Sequence, residues 1–225
     1  MIRLKDKWIS AIFSVALFFF ILTFSIGLPI YCRPFYYAHI EPLKLEQTSG
    51  YTREEIVEAY NEVLDYLTLP AKSFGTGVMR SSEEGAAHFA DCKVLFDLNA
   101  TVLIVCAITL ITILILKKLG KVGALRLGKR SAGFWSALCA IVLPLILGGL
   151  ISLDFNRAFT IFHSIFFPGK GNWIFNPFTD EIIWVLPQNF FMNCAILIGA
   201  GVIVLSAAIF TVEAVMAINA KKQKQ

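Results

Sequence analysis

Long stretches without a charged residue alternate with polar segments along this chain, and they predict four transmembrane helices. The uncharged runs cover residues 8–32, 98–116, 131–153 and 190–212. The last predicted helix can extend to residue 219. Each run has 19 to 25 residues, and about 20 mostly apolar residues cross the hydrocarbon core of a bilayer as a helix. The segment 33–97 is the one connection that is long enough to fold. We therefore predict an all-α membrane protein with four transmembrane helices. A small extracytoplasmic cap, mostly helical with some extended structure, lies between the first two.

The basic residues predict which ends of these helices face the cytoplasm. Twelve of the 20 Lys and Arg residues lie in three short segments, residues 1–7, 117–130 and 220–225. Cytoplasmic segments of membrane proteins carry an excess of Lys and Arg, so we assign these three segments to the cytoplasm. The cap at 33–97 and the loop at 154–189 then face the exterior, and all three histidines, His39, His88 and His163, lie in them. The net charge of +4 is thus a topology signal and does not indicate nucleic-acid binding.

Composition excludes several classes of protein. The chain is 57% hydrophobic and 16% charged, whereas soluble domains are nearer half apolar and a quarter charged. A disordered chain and a soluble enzyme are therefore excluded. No C-x-x-C motif and no clustered His/Cys spacing indicates a metal site, so we expect neither a metal nor a cofactor. Cys32 and Cys92 both fall in external segments, which leaves a disulfide between them open.

Within the cap, a helix is predicted from Tyr51 to the proline at position 70. Thr52 and Glu55 have the spacing of a capping box, and an apolar stripe follows at helical spacing. The preceding segment, Arg33 to Thr48, contains two prolines and several β-favouring aromatic residues, so we expect it to be irregular to extended.

A second external helix is predicted from about Ser82, and it continues into the second membrane span. His88 and Asp91 share one face of this helix. Asp91 is close enough along the helix to orient the His88 imidazole or to raise its pKa. The alternative is a solvated histidine at the membrane interface with an acid on the helix surface.

The second external loop is unusually aromatic. Residues 155–191 contain nine Phe and two Trp, and Phe155, Phe159, Phe162 and Phe166 recur at helical spacing with His163 on their flank. Trp173 and Phe175 follow in a loop. One interpretation is an aromatic belt at the membrane interface, but such belts favour Trp and Tyr. The abundance of Phe therefore favours a pocket for an apolar chain.

His88 and His163 are predicted at similar depth on the same side of the membrane, which makes them candidates for chemistry. Histidine acts as acid or base near neutral pH, and acyl transfer between lipid-borne groups needs both roles. No serine stands in a G-x-S-x-G motif, so a serine-hydrolase mechanism is unsupported. Arg157 is six residues before His163, where it would hold an oxyanion or substrate carbonyl, or alternatively extend to the lipid headgroups.

Several motifs resemble one known family, the bacterial lipoprotein intramolecular transacylases, which are small four-helix membrane proteins with an extracytoplasmic cap. The motifs are Arg33-Pro-Phe-Tyr-Tyr37, Tyr51-Thr-Arg-Glu-Glu-Ile56, His88-Phe-Ala-Asp91, and Phe159-x-x-Phe-His163-x-x-Phe-Phe167 followed by Trp173-x-Phe175, Asp180 and Pro187. They cover essentially the whole chain, in order and with matching topology. No single motif is diagnostic, but the two histidine motifs within this topology are fairly specific.

The resemblance implies an enzyme that moves the sn-2 acyl chain of a lipoprotein's diacylglyceryl group to the α-amine of the same N-terminal cysteine. The product is a lyso-form lipoprotein. His88 and His163 are then the catalytic pair: one deprotonates the amine, and the other protonates the departing oxygen or stabilises the oxyanion. Which one is the base stays open, with His163 preferred. Asp91 and Arg157 support the pair. The expected substrate-binding residues are Tyr36, Tyr37, Phe159, Phe162, Phe166, Phe167, Trp173, Phe175 and Asp180.

The expected partners are a diacylated bacterial lipoprotein and membrane lipid, without nucleic acid or metal, in the bacterial cell membrane. Two other classes remain. A docking or sensor subunit would use the acidic cap as a binding surface and would need neither histidine. An interfacial lipase or intermolecular acyltransferase would require a nucleophile motif, which the sequence lacks.

Overall fold

The structure is a computed structural model that describes residues 4–222. The helices are α1 Leu4–Tyr31, α2 Arg33–Tyr37, α3 Leu45–Ser49, α4 Arg53–Thr68, α5 Glu83–Lys118, α6 Ala132–Leu153, α7 Phe155–Phe166, α8 Ile182–Val185 and α9 Gln188–Lys222; the strands are β1 Arg126–Leu127 and β2 Arg130–Ser131. The mainly helical fold agrees with the prediction. Residues 1–3 and 223–225 of the predicted cytoplasmic termini lie outside the described residues.

Among the residues that the structure describes, three helices are long and apolar enough to cross a membrane. They are Lys5–Tyr31 within α1, the whole of α5, and Gln188–Asn219 within α9. The predicted third span coincides with α6, in which Ala132–Ile146 forms a shorter apolar helix. Each of the four predicted spans thus lies almost wholly within a helix of the structure, and the crossing of a membrane by all four stays a prediction.

The chain divides into two compact units. The first comprises residues up to Gly27, Ala100–Gly149 and residues from Ile198 onward. Within it, α1 and α6 are joined by two serines, with 3.0 Å between the Oγ atoms of Ser14 and Ser136. The Ser136 hydroxyl also lies 2.9 Å from the carbonyl oxygen of Ser14. Small hydroxyl side chains of this kind allow helix backbones to approach closely in a lipid environment.

The first unit also contains the strand pair, in the basic segment between α5 and α6. Arg126 pairs with Ser131 and Leu127 with Arg130. Gly128 has a φ of +65° in the two-residue connection, a conformation that glycine adopts without steric cost. The backbone amide of Arg126 donates to the Ser10 hydroxyl of α1 at 3.1 Å, which holds the hairpin to the helix.

Extended structure predicted in the cap was wrong, because Arg33 to Thr48 forms short helices and turns. Pro34 stands in the first turn of α2, where its fixed φ suits a helix and its missing N–H costs nothing. The aromatic residues that suggested a strand are held by tertiary contacts. Tyr36 stacks on Tyr60 with 3.7 Å between ring centroids, and its hydroxyl donates to the carbonyl of Val185 at 2.7 Å.

The second unit comprises Leu28–Asn99 and Leu150–Leu197. Helix α4 begins as predicted, with a capping box in which Thr52 and Glu55 exchange hydrogen bonds. Its apolar stripe is buried in a core that also includes Ile182 and Val185 of α8 and Phe190 of α9. This core fixes α4 and α8 in the part of the chain that carries all three histidines.

Two acidic residues before α8 hold the beginning of α5. Asp180 accepts hydrogen bonds from the amide and hydroxyl of Ser82, both at 2.8 Å. Glu181 accepts from the Arg80 guanidinium and amide and, at 2.5 Å, from the Tyr51 hydroxyl. The hydrogen bonds from Arg80, and then that from Tyr51, lower the pKa of Glu181 to about 2. These contacts connect the loop before α8 to the segment that carries His88.

Candidate active site

The two histidines predicted from sequence lie together. The ring centroids of His88, on α5, and His163, on α7, are 5.7 Å apart. Both side chains are buried, with 7% and 6% of their surface exposed. Because 75 residues separate them in the chain, their approach is a product of tertiary structure. Two imidazoles at this distance can hold a substrate group between them and exchange protons with it.

Aromatic rings surround the pair. Trp173 stacks on His163 at 4.6 Å between centroids, and Phe159 lies 4.2 Å from the same ring. Phe167 and Phe175 meet the His88 ring edge-on at 4.9 and 5.5 Å. The structure thus places four of the predicted aromatic residues around the two imidazoles, where they exclude water.

His163 has a defined tautomer. Its Nδ1 lies 2.8 Å from the carbonyl oxygen of Phe159, one turn earlier in α7. A carbonyl oxygen only accepts, so Nδ1 carries the proton and donates it, and the neutral ring keeps Nε2 as a free acceptor. Burial lowers the pKa of His163 below its ordinary value, although the bond to Phe159 opposes this shift. His163 is consequently neutral and able to accept a proton at neutral pH.

His88 has a different environment. Its Nε2 lies 3.4 Å from the thiol of Cys92, one turn along α5. Its Nδ1 is buried and, among residues 4–222, has no hydrogen-bond partner. A buried nitrogen without a partner is costly in a folded protein, and such a nitrogen beside a second imidazole is suited to bind a polar group of a substrate. In this structure Cys32 and Cys92 are both free thiols.

Asp91 does not orient His88 through a hydrogen bond, contrary to one of its two predicted roles. Its carboxylate accepts from Lys170 Nζ and, at 3.1 Å, from Asn172 Nδ2. The acid connects α5 to the loop that precedes Trp173, and Trp173 in turn stacks on His163. Asp91 therefore links α5 to the loop that carries Trp173.

Most of the other predicted site residues lie away from the histidines, but Phe162 contacts the His163 ring at 5.5 Å between centroids. Arg157 is exposed on α7, and within residues 4–222 its guanidinium forms no hydrogen bond with either imidazole. Tyr36 and Tyr37 belong to the core around α4, and Asp180 holds Ser82. Phe162 and Phe166 are each nearly half exposed and contact one another at 4.6 Å. These two present an apolar surface next to the pair.

Three residues that contribute to the site were not predicted from sequence. Cys92 stands four residues after His88 on one helix, so spacing would have found it. Lys170 and Asn172 lie in an irregular loop and contact Asp91 across about 80 residues of sequence, and no local pattern signals such a contact. Within residues 4–222, no group of three or more His, Cys, Asp or Glu side chains is arranged to hold a metal ion.

Comparison with known families decides the class. The family described as "Lipoprotein intramolecular transacylase Lit" matches residues 11–191, most of the chain. The chain belongs to the lipoprotein intramolecular transacylase family. The resemblance inferred from the sequence motifs is thereby confirmed. A search of curated proteins finds no match.

Solved structures of a transacylase have the same fold. The membrane integral lipoprotein intramolecular transacylase Lit from Bacillus cereus superposes with a TM-score of 0.86 at 22% identity, covering 98% of this chain and 99% of that one. Two variants of that protein, in which one histidine is replaced by arginine or by alanine, give TM-scores of 0.81 and 0.80 at 22% identity. They cover 98% of this chain and 95% and 96% of their own. The fold of this chain is therefore that of a membrane-integral transacylase.

Proposed function

We propose that this transacylase moves the sn-2 acyl chain of a diacylated lipoprotein to the α-amine of its N-terminal cysteine, and that His88 and His163 perform the proton transfers. The observation that carries the proposal is the buried pair of imidazoles, 5.7 Å apart within a cage of aromatic rings. Membership of the family supports a lipoprotein substrate. Donor ester and acceptor amine belong to one molecule, so proximity supplies much of the rate.

The reaction is an isomerisation in which atoms balance without a co-reactant. The neutral α-amine attacks the carbonyl carbon of the sn-2 ester, a C–N bond forms, and the carbonyl oxygen becomes an oxyanion. The attacking nitrogen loses a proton to an imidazole. The C–O bond to glycerol then breaks, and the glycerol oxygen takes up that proton as a hydroxyl group. An ester is exchanged for the more stable amide, so no external energy source is required.

Different roles follow for the two histidines. His163 is the proposed base, because its Nδ1 is occupied by the Phe159 carbonyl and its Nε2 is free to take the amine proton and return it to glycerol. His88 is the proposed donor to the oxyanion through Nδ1, which has no partner among the described residues. This requires the Cys92 thiol to donate to His88 Nε2, which fixes the proton of the neutral ring on Nδ1. In this scheme only one of the two imidazoles carries a positive charge at any time. Two positive charges would be unfavourable here, because the rings are close together and buried.

The aromatic surroundings fit an acyl chain. Phe159, Phe167, Trp173 and Phe175 form the apolar surface at the histidines, and the exposed Phe162 and Phe166 extend it along α7. We propose a site at the extracytoplasmic membrane interface, with four transmembrane helices and cytoplasmic termini. Substrate lipid would then reach the histidines from the outer leaflet. Exclusion of water protects the intermediate from hydrolysis.

The test is an acyl-position assay on a diacylated reporter lipoprotein. The wild-type protein, His88→Ala, His163→Ala and His39→Ala are each expressed with the reporter in cells lacking other such activity. Fragmentation mass spectrometry of the N-terminal lipopeptide then locates the acyl chains. His39→Ala is the matched control, because His39 packs on Phe35 and Phe190 and lies outside the pair. Each variant is checked for folding by its thermal transition.

We expect the wild type and His39→Ala to give a lipopeptide of unchanged mass with one chain on nitrogen. Both other variants should retain the diacylglyceryl form, since loss of an acid–base group costs about 10²–10⁴ in rate. A reporter left unmodified by the wild type would favour the docking or sensor class. A lipopeptide lighter by one acyl chain would favour a lipase.

A further inference from the structure

A large cavity lies in the first compact unit, far from both histidines in sequence. Its volume is about 1170 Å³, which is above the usual range of about 300–1,000 Å³ for small-molecule pockets. Most of its wall is apolar, and Phe13, Leu17 and Phe20 of α1 contribute to it together with Leu205 and Ile209 of α9. An apolar wall that is formed by two long helices is suited to bind hydrocarbon chains.

Cationic side chains line the same cavity. They are Lys117 at the end of α5 and three residues of the strand pair and its turn, Arg126, Lys129 and Arg130. Glu213 is the one acid among the described residues of the lining, and its carboxylate accepts a hydrogen bond from the Ser131 hydroxyl. Among residues 4–222, none of the four cations forms an ion pair with a carboxylate. Their charge is therefore available to an anion from outside the protein.

Side-chain contacts hold the hairpin that carries three of these cations. The Arg126 guanidinium donates to the Lys129 carbonyl at 2.6 Å, and the Trp135 indole donates to the Leu127 carbonyl at 3.0 Å. The Arg130 guanidinium lies 5.0 Å from the Phe134 ring centroid. A turn held in this way presents its charges at a defined place, so less conformational entropy is lost when an anion binds.

We propose that this cavity binds an anionic phospholipid, with the phosphate at the cationic residues and the acyl chains along the apolar wall. A zwitterionic lipid would bring its own ammonium group close to the four cations, and a soluble anion would leave the apolar wall empty. Basic pockets between membrane helices bind acidic lipid headgroups for the same reasons. The proposal does not depend on the acyl-transfer function, because no residue of the histidine site lines this cavity.

The test measures lipid binding to the full-length protein in detergent by native mass spectrometry. The probes are phosphatidylglycerol, phosphatidylcholine with the same acyl chains, and glycerol 3-phosphate as a headgroup without chains. Lys129→Gln/Arg130→Gln removes two cations from the cavity. Lys118→Gln/Lys121→Gln is the matched control, because it removes two exposed cations of the same basic segment that do not line the cavity.

We expect phosphatidylglycerol to remain bound at concentrations where the other two probes do not. The cavity variant should bind it roughly 25-fold more weakly, since each cation near an anionic lipid contributes about fivefold in affinity. The control variant should bind like the wild type. Ala208→Phe, which fills the cavity without changing charge, should also weaken binding.

Three results would overturn the proposal. Equal retention of phosphatidylcholine would remove the role of charge, and equal binding of glycerol 3-phosphate would indicate a site for a soluble anion. Equal losses in the cavity and control variants would indicate nonspecific attraction to the basic segment. Because Ala208→Phe keeps all charges, it tests the cavity even if the double variant does not fold.

Discussion

At the residue scale, the hydrogen bond between His163 and its own helix determines how that ring can act. Nδ1 donates to the Phe159 carbonyl, so the free nitrogen of the neutral ring is an acceptor. His88 differs because its neighbour on the helix is a thiol, which can donate or accept. The two histidines thus differ in which ring nitrogen is free to bind a substrate: Nε2 in His163 and Nδ1 in His88.

The burial of His163 has a consequence for stability. Because burial lowers its pKa in the folded protein, the unfolded chain takes up a proton at higher pH than the folded protein does. The contribution of His163 to stability is thus complete above about pH 6.5 and decreases as the pH falls below that value. We expect the melting temperature in detergent to fall between pH 7 and pH 5, and to fall less in His163→Gln.

His39→Gln serves as the control for that measurement, since it removes a histidine outside the pair. The prediction would be contradicted if the melting temperatures of the wild type and of His163→Gln decreased by the same amount over this range.

Sequence reasoning reached the residues whose positions depend on helix geometry alone. Thr52 and Glu55 form the predicted capping box, and His163 follows Phe159 by one turn. It could not find Lys170 and Asn172 as partners of Asp91, because those contacts arise from packing between distant segments. From the sequence alone, the imidazole of His88 is the nearest partner along the helix for the Asp91 carboxylate.

At the element scale, α5 serves two purposes. Its 36 residues include an uncharged stretch from Leu98 and, before it, the turns that carry His88, Asp91 and Cys92. The segment that contains α2 and α3 illustrates the opposite case, in which local propensity suggested the wrong structure. Aromatic residues favour strands in general, but here Tyr36 is stacked and hydrogen-bonded in a helical core.

The contact between α5 and the loop after α7 is expected to position Trp173. Asp91→Asn removes the ion pair with Lys170, and we predict about a fivefold lower transacylation rate, since a part-exposed charged hydrogen bond contributes about 1 kcal/mol. Asp97→Asn, which alters a weaker pair with Lys93 at 3.9 Å on the same helix, is the matched control. Initial rates with the reporter lipopeptide measure the difference.

If Asp91 acts through Lys170, Asp91→Asn/Lys170→Gln should be no slower than either single variant. Additive losses in the double variant would mean that Asp91 acts on the site by another route.

At the scale of the whole molecule, the prediction concerns the side of the membrane on which each segment lies. A membrane-impermeant maleimide should label the exposed Cys32 in intact spheroplasts. In a Cys32→Ser background, a cysteine introduced at Lys121 should be labelled only after lysis, because the basic segment is predicted to be cytoplasmic. Mass spectrometry of the labelled protein measures both.

Labelling of the cysteine at position 121 in intact spheroplasts would reverse the proposed orientation. Cys106, which is buried on α5, provides an internal reference that should stay unlabelled in both samples.

The wide separation of the two histidines along the chain has a consequence for biogenesis. A ribosome adds roughly 5–20 residues per second, so roughly 4–15 s pass between the synthesis of His88 and that of His163. Trp173 and Phe175 are made later still. During this interval the nascent chain contains the cap segment 33–97 but only one imidazole of the pair, His88. Under the proposed two-histidine mechanism and membrane orientation, a truncated or stalled product that ends before α7 should be inert toward lipid esters. Activity should begin only when the segment 154–189 has been translocated.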